Sequence, residues 1–278
     1  MTRKIIGYYT NALDDAYNGQ LILEIGDTEL VCIARQEGAQ RPDGLEVFGI
    51  GKDENDWRGL FAGIASESRL LGRSYRSTVC FYNCEEALIM PSANFSTSAA
   101  EDHLSLVFGD KKGFDVKHEP VTDQPMVTAY RIPASIHDLV GHQFVLYKPR
   151  HIYTAMLEEA LRKQPMPVHF IKLRFYGSHF ALVYLHDGKL QLLRSFGYST
   201  AEDILYHLIS ISQQFHIVPA EATLEIGGML DAESVSQRQL QQLFAEISFD
   251  TVLQDEAFLN GVSIYPSYYF TPFYKLPA

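Results

Sequence analysis

Three consecutive segments decide the fold, and they read VHFIKLRFYG at 168–177, HFALVYLHDG at 179–188 and KLQLLRSFGY at 189–198. In the first segment Ile171, Leu173 and Phe175 alternate with polar or aromatic residues. A period of two is typical of a strand, and this alternation predicts one with a single buried face. The Asp-Gly pair that ends the second segment has the usual chemistry of a tight turn, so the second and third segments are predicted to form a hairpin.

A helix, a strand and a second helix are predicted to follow these three strands. The helix spans 199–215, with Ser199 or Thr200 as its cap and acidic residues in its first turn. Its predicted buried stripe consists of Ile204, Leu205, Leu208, Ile211 and Phe215. The strand at 222–228 ends in two glycines, and the copy closes near Ser248. The order of elements is therefore βββαβα.

The same order begins earlier in the chain, at Leu21. Its predicted strands are 21–26, 29–35, 44–51 and 75–83, with a helix around 57–64 that Asp53 or Asn55 would cap. Residues 1–18 are predicted to be a poorly ordered arm or one that docks on a sheet edge. A βββαβα unit used twice predicts an α/β protein of two lobes, at 1–148 and 149–278, with a cleft between them.

The stretch between the two copies is less regular. The pattern predicts a helix at 96–108, a loop or irregular strand at 109–125, a strand at 126–132 and a short helix at 134–141. A strand at 142–148 is predicted to end at Pro149, before a helix at 151–163 that the two lobes share.

Composition excludes several classes of function. A net charge of −11 argues against a nucleic acid or an anionic membrane surface as the main partner. No signal peptide or membrane-spanning stretch is predicted, so we expect a cytoplasmic protein with no direct membrane insertion. Three cysteines are typical of reduced thiols, and Cys80 and Cys84 have no second pair and no histidine nearby in sequence, which argues against zinc.

The order of strands and helices resembles the ribonuclease H-like fold, and two such units in tandem resemble the actin-like ATPases. The whole chain is also similar to an uncharacterised bacterial family, the domain of unknown function 3822. The residues that carry this resemblance lie at 180–208, at 224–228 and in the closing aromatic segment 265–273. The resemblance implies a nucleotide cleft between the lobes, with ATP and Mg²⁺ as its ligands, but no established activity.

In active actin-like ATPases an Asp-x-Gly turn in the first hairpin of each half grips phosphates and helps to hold Mg²⁺. Here the first hairpin has Glu24-x-Gly26, followed by Asp27 and Thr28. This resembles a conservative change from Asp-x-Gly, in which Asp27 and Thr28 still offer oxygens. A plain β-turn with a surface glutamate is the alternative.

The second hairpin lacks the acid. If Phe175-x-Gly177 is the aligned triplet, an aromatic residue replaces the carboxylate; if Arg174 is aligned, a cation replaces it. Arg174 would then neutralise a phosphate, which supports binding rather than hydrolysis. Gly227 and Gly228 match the paired glycines that let the backbone approach an adenosine, although a tight strand–helix turn favours glycine too.

These observations lead to a hypothesis of a pseudoenzyme. We expect a degenerate, non-catalytic scaffold or adaptor with an unidentified protein partner, no catalytic residues and no metal site of its own. Its candidate nucleotide-binding residues are Glu24, Gly26, Asp27, Thr28, Arg174, Gly177, Gly227 and Gly228. The alternative is an active ATP-dependent phosphotransferase or ATPase that uses Glu24, Asp27 and Arg174 in unusual roles. A purely structural dimer is a third hypothesis, because the sequence does not specify the oligomeric state.

Overall fold

The computed structural model describes residues 3–13, 19–39, 41–51, 56–231, 235–252 and 255–277. The chain divides into two compact units. Unit 1 comprises residues 1–155 together with 276–278, and unit 2 comprises residues 156–275. Each unit is built around its own mixed sheet, and the boundary falls inside a helix that runs from Ile152 to Leu161.

Unit 1 contains a six-stranded sheet in the order β1-β4-β3-β2-β5-β9. Its strands are β1 (Arg3–Tyr9), β2 (Gln20–Gly26), β3 (Glu29–Arg35), β4 (Gly44–Gly49), β5 (Ser77–Asn83) and β9 (Tyr147–His151). Strands β2, β5 and β9 run parallel to one another, whereas β3, β4 and β1 extend the sheet by antiparallel pairing. Helix α1 (Trp57–Glu67) connects β4 to β5.

A second, three-stranded antiparallel sheet is inserted after β5. It has the order β6-β8-β7 and consists of β6 (Ala87–Pro91), β7 (Phe114–Pro120) and β8 (Met126–Pro133). Helix α2 (Ala100–Phe108) lies between β6 and β7, and α3 (Ala134–Gln143) leads from β8 to β9. Helix α4 (Ile152–Leu161) follows β9. This insertion explains why the first copy of the pattern is partial.

Unit 2 has a five-stranded sheet in the order β12-β11-β10-β13-β14. Its strands are β10 (His169–Phe175), β11 (His179–His186), β12 (Lys189–Gly197), β13 (Thr223–Gly228) and β14 (Glu246–Phe249). Its helices are α5 (Ala201–Gln214), α6 (Val235–Leu243), α7 (Glu256–Gly261) and the single turn α8 (Thr271–Tyr274). The order β4-β3-β2-β5-β9 in unit 1 repeats as β12-β11-β10-β13-β14 here, which confirms the repeated strand pattern.

The core of unit 2 lies between one face of the sheet and helices α5 and α6. Ile204, Leu208 and Ile211 of α5 are buried in it, and Leu205 and Phe215 pack against it partly exposed. The predicted stripe is therefore confirmed, with three members at its centre. Thr200 is the cap: its side chain accepts from the Asp203 amide, and Asp203 completes a capping box.

The opposite face of β10 corrects the expectation of a strand with one buried face. Lys172, Arg174 and Tyr176 were expected on the exposed side, and each is at most 2% exposed. The strand is buried on both faces because acidic side chains from other elements cover its cations and pair with them, as described below.

Two further expectations needed correction. Residues 114–120, within the predicted loop or irregular strand at 109–125, form the regular strand β7, because β8 supplies an antiparallel partner along its whole length. The predicted strand 142–148 is wrong at both ends, since Gln143 ends α3 and β9 runs through Pro149 to His151. Proline is tolerated there because β9 is an edge strand, with β5 as its one partner among the described strands.

At the amino end of the chain, residues 3–9 form the edge strand β1, which matches the edge-docking alternative for the arm. The suggested caps Asp53 and Asn55 lie outside the described residues. Asp56 caps α1 instead, because its carboxylate accepts from the Gly59 amide at 2.9 Å.

Candidate functional site

The carboxyl ends of β2 and β5 meet at one edge of the unit 1 sheet. Gly26 at the end of β2 is in register with Asn83 at the end of β5. A cavity of about 240 Å³ opens beyond this edge, where α/β sheets commonly bind ligands. Gly26, Asp27 and Asn83 line it together with residues of the inserted sheet.

Glu24 lies beneath this edge rather than at the surface. Its side chain is 2% exposed and accepts a hydrogen bond from the Asn83 amide at 3.3 Å. The expectation of a surface glutamate in a plain turn is therefore wrong. The carboxylate is hydrogen-bonded to the neighbouring strand and does not face solvent. It is therefore not placed to ligate a hydrated cation.

Asp27 and Thr28 lie in the turn between β2 and β3. Asp27 is exposed, but the surrounding protein desolvates its carboxyl group and raises its pKa above the ordinary value, against the opposing charge of Lys111. The Thr28 hydroxyl donates a short hydrogen bond to the neighbouring carboxylate of Glu29, and its carbonyl accepts from the Ile50 amide at 2.7 Å. Of the two predicted ligand residues in this turn, Asp27 is the one that lines the cavity.

Cations reach the cavity from the inserted segment, which the sequence did not indicate. Lys111 and Arg131 both pair with Glu86, at 2.8 and 3.2 Å. Arg131 is buried, and it also donates to the Gly109 carbonyl at 2.8 Å and to the Ser105 hydroxyl at 2.7 Å. A side chain held by three separate acceptors has a fixed position, so this wall of the cavity is preorganised.

A histidine lies next to Cys84, although none is nearby in the sequence. His151 Nε2 is 3.4 Å from Cys84 Sγ and 3.0 Å from its carbonyl oxygen. Burial lowers the pKa of His151 to about 3, so the imidazole is neutral, and burial raises the pKa of the Cys84 thiol. A protonated thiol beside a neutral imidazole is not an activated nucleophile.

Strand register decides which residue of the second hairpin corresponds to Glu24. The last cross-strand pair is Ile25 with Leu30 in the first hairpin and Phe175 with Phe180 in the second. Each pair encloses four residues, so Glu24 corresponds to Arg174. A cation stands where the first hairpin has its carboxylate, and Gly177 occupies the position of Asp27.

Arg174 belongs to a buried ion network in unit 2. Its guanidinium group lies 3.3 Å from a carboxylate oxygen of Glu159 on α4. The neighbouring Lys172 pairs with Glu225 at 2.7 Å, with Asp250 at 3.0 Å and with Glu159 at 3.1 Å. Lys163 and Lys275 pair with Glu225 and Asp250 respectively.

The cations of this network are held by carboxylates of the same unit. Burial alone would lower the pKa of Lys172 and raise that of Asp250, but the surrounding opposite charges reverse both shifts and hold the pKa of Asp250 at about 2. Lys172 and Asp250 are therefore both charged at neutral pH.

The paired glycines lie at the end of β13, where Gly227 is in register with Arg174 and Gly228 with Phe175. A Cβ atom on Gly228 would lie 2.2 Å from the Phe175 carbonyl oxygen, and the residue has a φ of +91°. A Cβ on Gly227 would lie 3.1 Å from atoms of Asp250 and Pro272. The close backbone approach that requires glycine here is made by the chain itself.

The eight predicted residues thus form two groups. Glu24, Gly26, Asp27 and Thr28 share the first hairpin of unit 1. Arg174, Gly177, Gly227 and Gly228 lie on the first hairpin of unit 2 and the strand beside it. The cavity is also lined by Glu86, Lys111 and Arg131. These residues are distant from one another in sequence and meet only through the insertion after β5, so no sequence motif indicated them.

A model of one protein family matches residues 9–247, and its description is protein of unknown function (DUF3822). The chain belongs to this family. No curated protein matches it.

Solved structures show the fold of this DUF3822 chain. A Bacteroides thetaiotaomicron protein with an actin-like ATPase fold and unknown function is 14% identical, with a TM-score of 0.77 over 90% of this chain and 99% of that one. The PilM-PilN type IV pilus biogenesis complex contains a chain that is 14% identical, with a TM-score of 0.62 over 94% of this chain and 98% of that one. The chain therefore has an actin-like ATPase fold, as the sequence predicted. None of its described helices has the length and apolar character to cross a membrane.

Proposed function

We propose that this chain is a non-catalytic member of the actin-like fold that acts as a scaffold or adaptor for a protein partner in a bacterial cytoplasm. The observation that carries the proposal is the register equivalence of Glu24 and Arg174. An active site that organises Mg²⁺ and water needs carboxylate oxygens, and a guanidinium group cannot ligate a cation. Arg174 is also held by Glu159.

The first hairpin supports the same conclusion. Glu24 is buried and bonded to Asn83, so moving its carboxylate to a solvated metal would break that bond and open the sheet edge. The similarity to PilM, solved in a complex with PilN, supports a role through protein contacts.

Nucleotide binding without turnover is a second candidate, and the cavity beside the first hairpin favours it. Lys111 is about half exposed at this cavity and Asp27 carries an oxygen ligand. The volume of about 240 Å³ lies below the range of about 300–1,000 Å³ typical of small-molecule sites. It therefore suits part of a nucleotide, such as a phosphate group, rather than the whole molecule.

The test is a hydrolysis assay of the full chain with Mg²⁺ and ATP, beside Glu24→Gln and a control variant, Glu37→Gln. Glu37 is an exposed acid of the same unit that pairs with Arg76. We expect phosphate release at the rate of the protein-free buffer for all three proteins. Metal-dependent turnover that Glu24→Gln abolishes and Glu37→Gln preserves would overturn the proposal.

Binding is measured separately by the melting temperature in the presence of a non-hydrolysable ATP analogue and Mg²⁺. A ligand that binds the folded state raises the melting temperature by mass action. If unit 1 holds the phosphates, Lys111→Ala reduces the shift and Lys189→Ala, on an exposed residue of unit 2, does not. A shift that is equal in both variants would remove the unit 1 cavity as the nucleotide site.

A further inference from the structure

Three side chains with metal-ligating atoms converge in unit 1, apart from the hairpin cavity. They are Asp115 on β7 and the consecutive residues His137 and Asp138 on α3, and each offers one atom within 4.8 Å of the other two. Carboxylate and imidazole groups are both ligands of metal ions in proteins.

The backbone holds the strand against the helix. Phe114 at the start of β7 is in register with Pro133 at the end of β8, and α3 begins at the next residue. The Ala134 amide donates to the Gly113 carbonyl at 2.9 Å, which fixes the first turn of α3 beside β7. Asp115 and His137 are therefore brought together by regular structure and not by a flexible loop.

The histidine ring has contacts on two sides. Its Nδ1 atom lies 2.5 Å from a carboxylate oxygen of Asp115, and the Tyr147 ring meets the imidazole edge-on, with the centroids 6.2 Å apart. The side chain is 22% exposed, so the ring is partly enclosed while solvent still reaches it. Because these contacts already restrict the imidazole ring, an ion that binds to it loses less free energy to ordering the side chain.

The cluster has an excess of negative charge. Across the described ranges, no lysine or arginine forms an ion pair with Asp115 or Asp138, whose charges lie close together. A cation between the two acids would relieve their mutual repulsion.

We propose that Asp115, His137 and Asp138 bind a divalent first-row transition-metal ion such as Zn²⁺ or Mn²⁺. Imidazole together with carboxylate suits these ions better than Mg²⁺ or Ca²⁺, which prefer oxygen alone. Three protein ligands leave at least one coordination position for water.

A larger cavity adjoins this site. It has a volume of about 700 Å³ and is lined by Asp138 together with Trp57 and Arg58 at the start of α1 and His142 at the end of α3. Because Asp138 belongs to the cluster and to the cavity wall, an ion bound by Asp138 lies at the cavity edge. A small anion could reach the ion there with Arg58 close by.

The experiment titrates the full chain, after treatment with a chelator and dialysis, with Zn²⁺ alone in a calorimeter. The variants are Asp138→Asn, at an exposed position that should not affect folding, and His137→Gln; the matched control is His118→Gln, at an exposed position of β7 outside the cluster and outside the cavity wall. We expect one ion per chain. Loss of a ligand should weaken binding by about tenfold or more, since even partners outside the ligand set cost roughly 10–100-fold.

Mn²⁺ gives an independent readout. Free Mn²⁺ has a strong electron paramagnetic resonance signal that decreases on binding, so the same variants can be ranked without calorimetry. An ordering in which Asp138→Asn and His137→Gln bind weakly and His118→Gln binds like the unmodified chain supports the site. Equal affinity in all four proteins, or no binding of either ion, would overturn it.

Discussion

At the scale of single residues, Lys172 is closely constrained by its ionic contacts. It is buried, and its ammonium group lies within about 3 Å of three carboxylates, one on α4, one on β13 and one directly after β14. Each ionic contact offsets part of the cost of removing the charge from water, and the removal of one partner leaves the others uncompensated. The network therefore acts as a unit whose stability depends on the charge of every member.

Asp250→Asn tests this dependence. Removing one charge from a buried ion network should lower the free energy of unfolding at pH 7 by about 3 kcal/mol or more. The measurement is chemical denaturation followed by circular dichroism. Asp187→Asn serves as the control, because Asp187 is exposed at a turn with a φ of 49° that asparagine also adopts.

The same variant should change the response to acid. The pKa of Asp250 falls from an ordinary 3.8 to about 2 in the folded protein, so the unfolded chain takes up its proton first. This carboxylate therefore contributes stability above about pH 4 that is lost as the pH falls to 2, an effect of roughly 2 kcal/mol. Stability of Asp250→Asn should decline less steeply over that interval. Parallel pH profiles for the variant and the unmodified chain would contradict the assignment.

At the scale of elements, the end of β13 shows how strand packing determines residue choice. Gly228 continues the register with Phe175 and then turns, with its amide donating to the Tyr268 carbonyl at 3.0 Å. Two conditions exclude a side chain at this position: the positive φ, and the Phe175 backbone where a Cβ would lie. Packing within unit 2 therefore accounts for this glycine without a ligand.

Gly228→Ala should destabilise the protein by about 3 kcal/mol or more, since backbone strain of about 1–2 kcal/mol adds to the cost of overpacking. Gly188→Ala separates the two effects. Gly188 has a similar φ of +70°, but the nearest atom to its Cβ would be a flexible methionine at 3.8 Å. That variant should lose only about 1 kcal/mol, measured by the same denaturation. Similar losses in the two variants would mean that the collision at Phe175 is relieved by movement of the backbone.

The elements with local signals were predictable from the sequence. The cap Thr200, the stripe on α5 and the turn at Asp187 each depend on residues a few positions apart, and all three are confirmed. Strand β9 was misplaced because the tolerance of Pro149 depends on which neighbours β9 has in the sheet.

The candidate sites were harder to predict because their members are distant in sequence. Lys172 meets Glu159 and Asp250 at separations of 13 and 78 residues, and Asp115 meets His137 at 22. No local periodicity specifies such pairs, so the alternation along β10 indicated an exposed polar face. The inserted sheet, which places Arg131 at the hairpin cavity, has no counterpart among the described residues of the second copy and was not predicted either.

At the scale of the whole molecule, the chain does not divide at a single point. Residues 276–278 belong to unit 1, although the 120 residues before them form unit 2. Leu276 is 1% exposed, and its carbonyl oxygen accepts a hydrogen bond at 2.5 Å from Arg35, which ends β3 and is itself buried. Unit 1 is therefore completed by a segment that follows unit 2 in the sequence.

Leu276→Ala should consequently destabilise unit 1, by about 2–5 kcal/mol for a buried leucine. Trp57 is the only tryptophan of the chain and lies in unit 1, so its fluorescence follows the unfolding of that unit, whereas circular dichroism follows both. We expect the fluorescence transition to move to lower denaturant concentration. Ile264→Ala, at a position of unit 2 that is 86% exposed, should leave it unchanged. If Leu276→Ala left the Trp57 transition in place, packing of the Leu276 side chain would contribute little to the stability of unit 1.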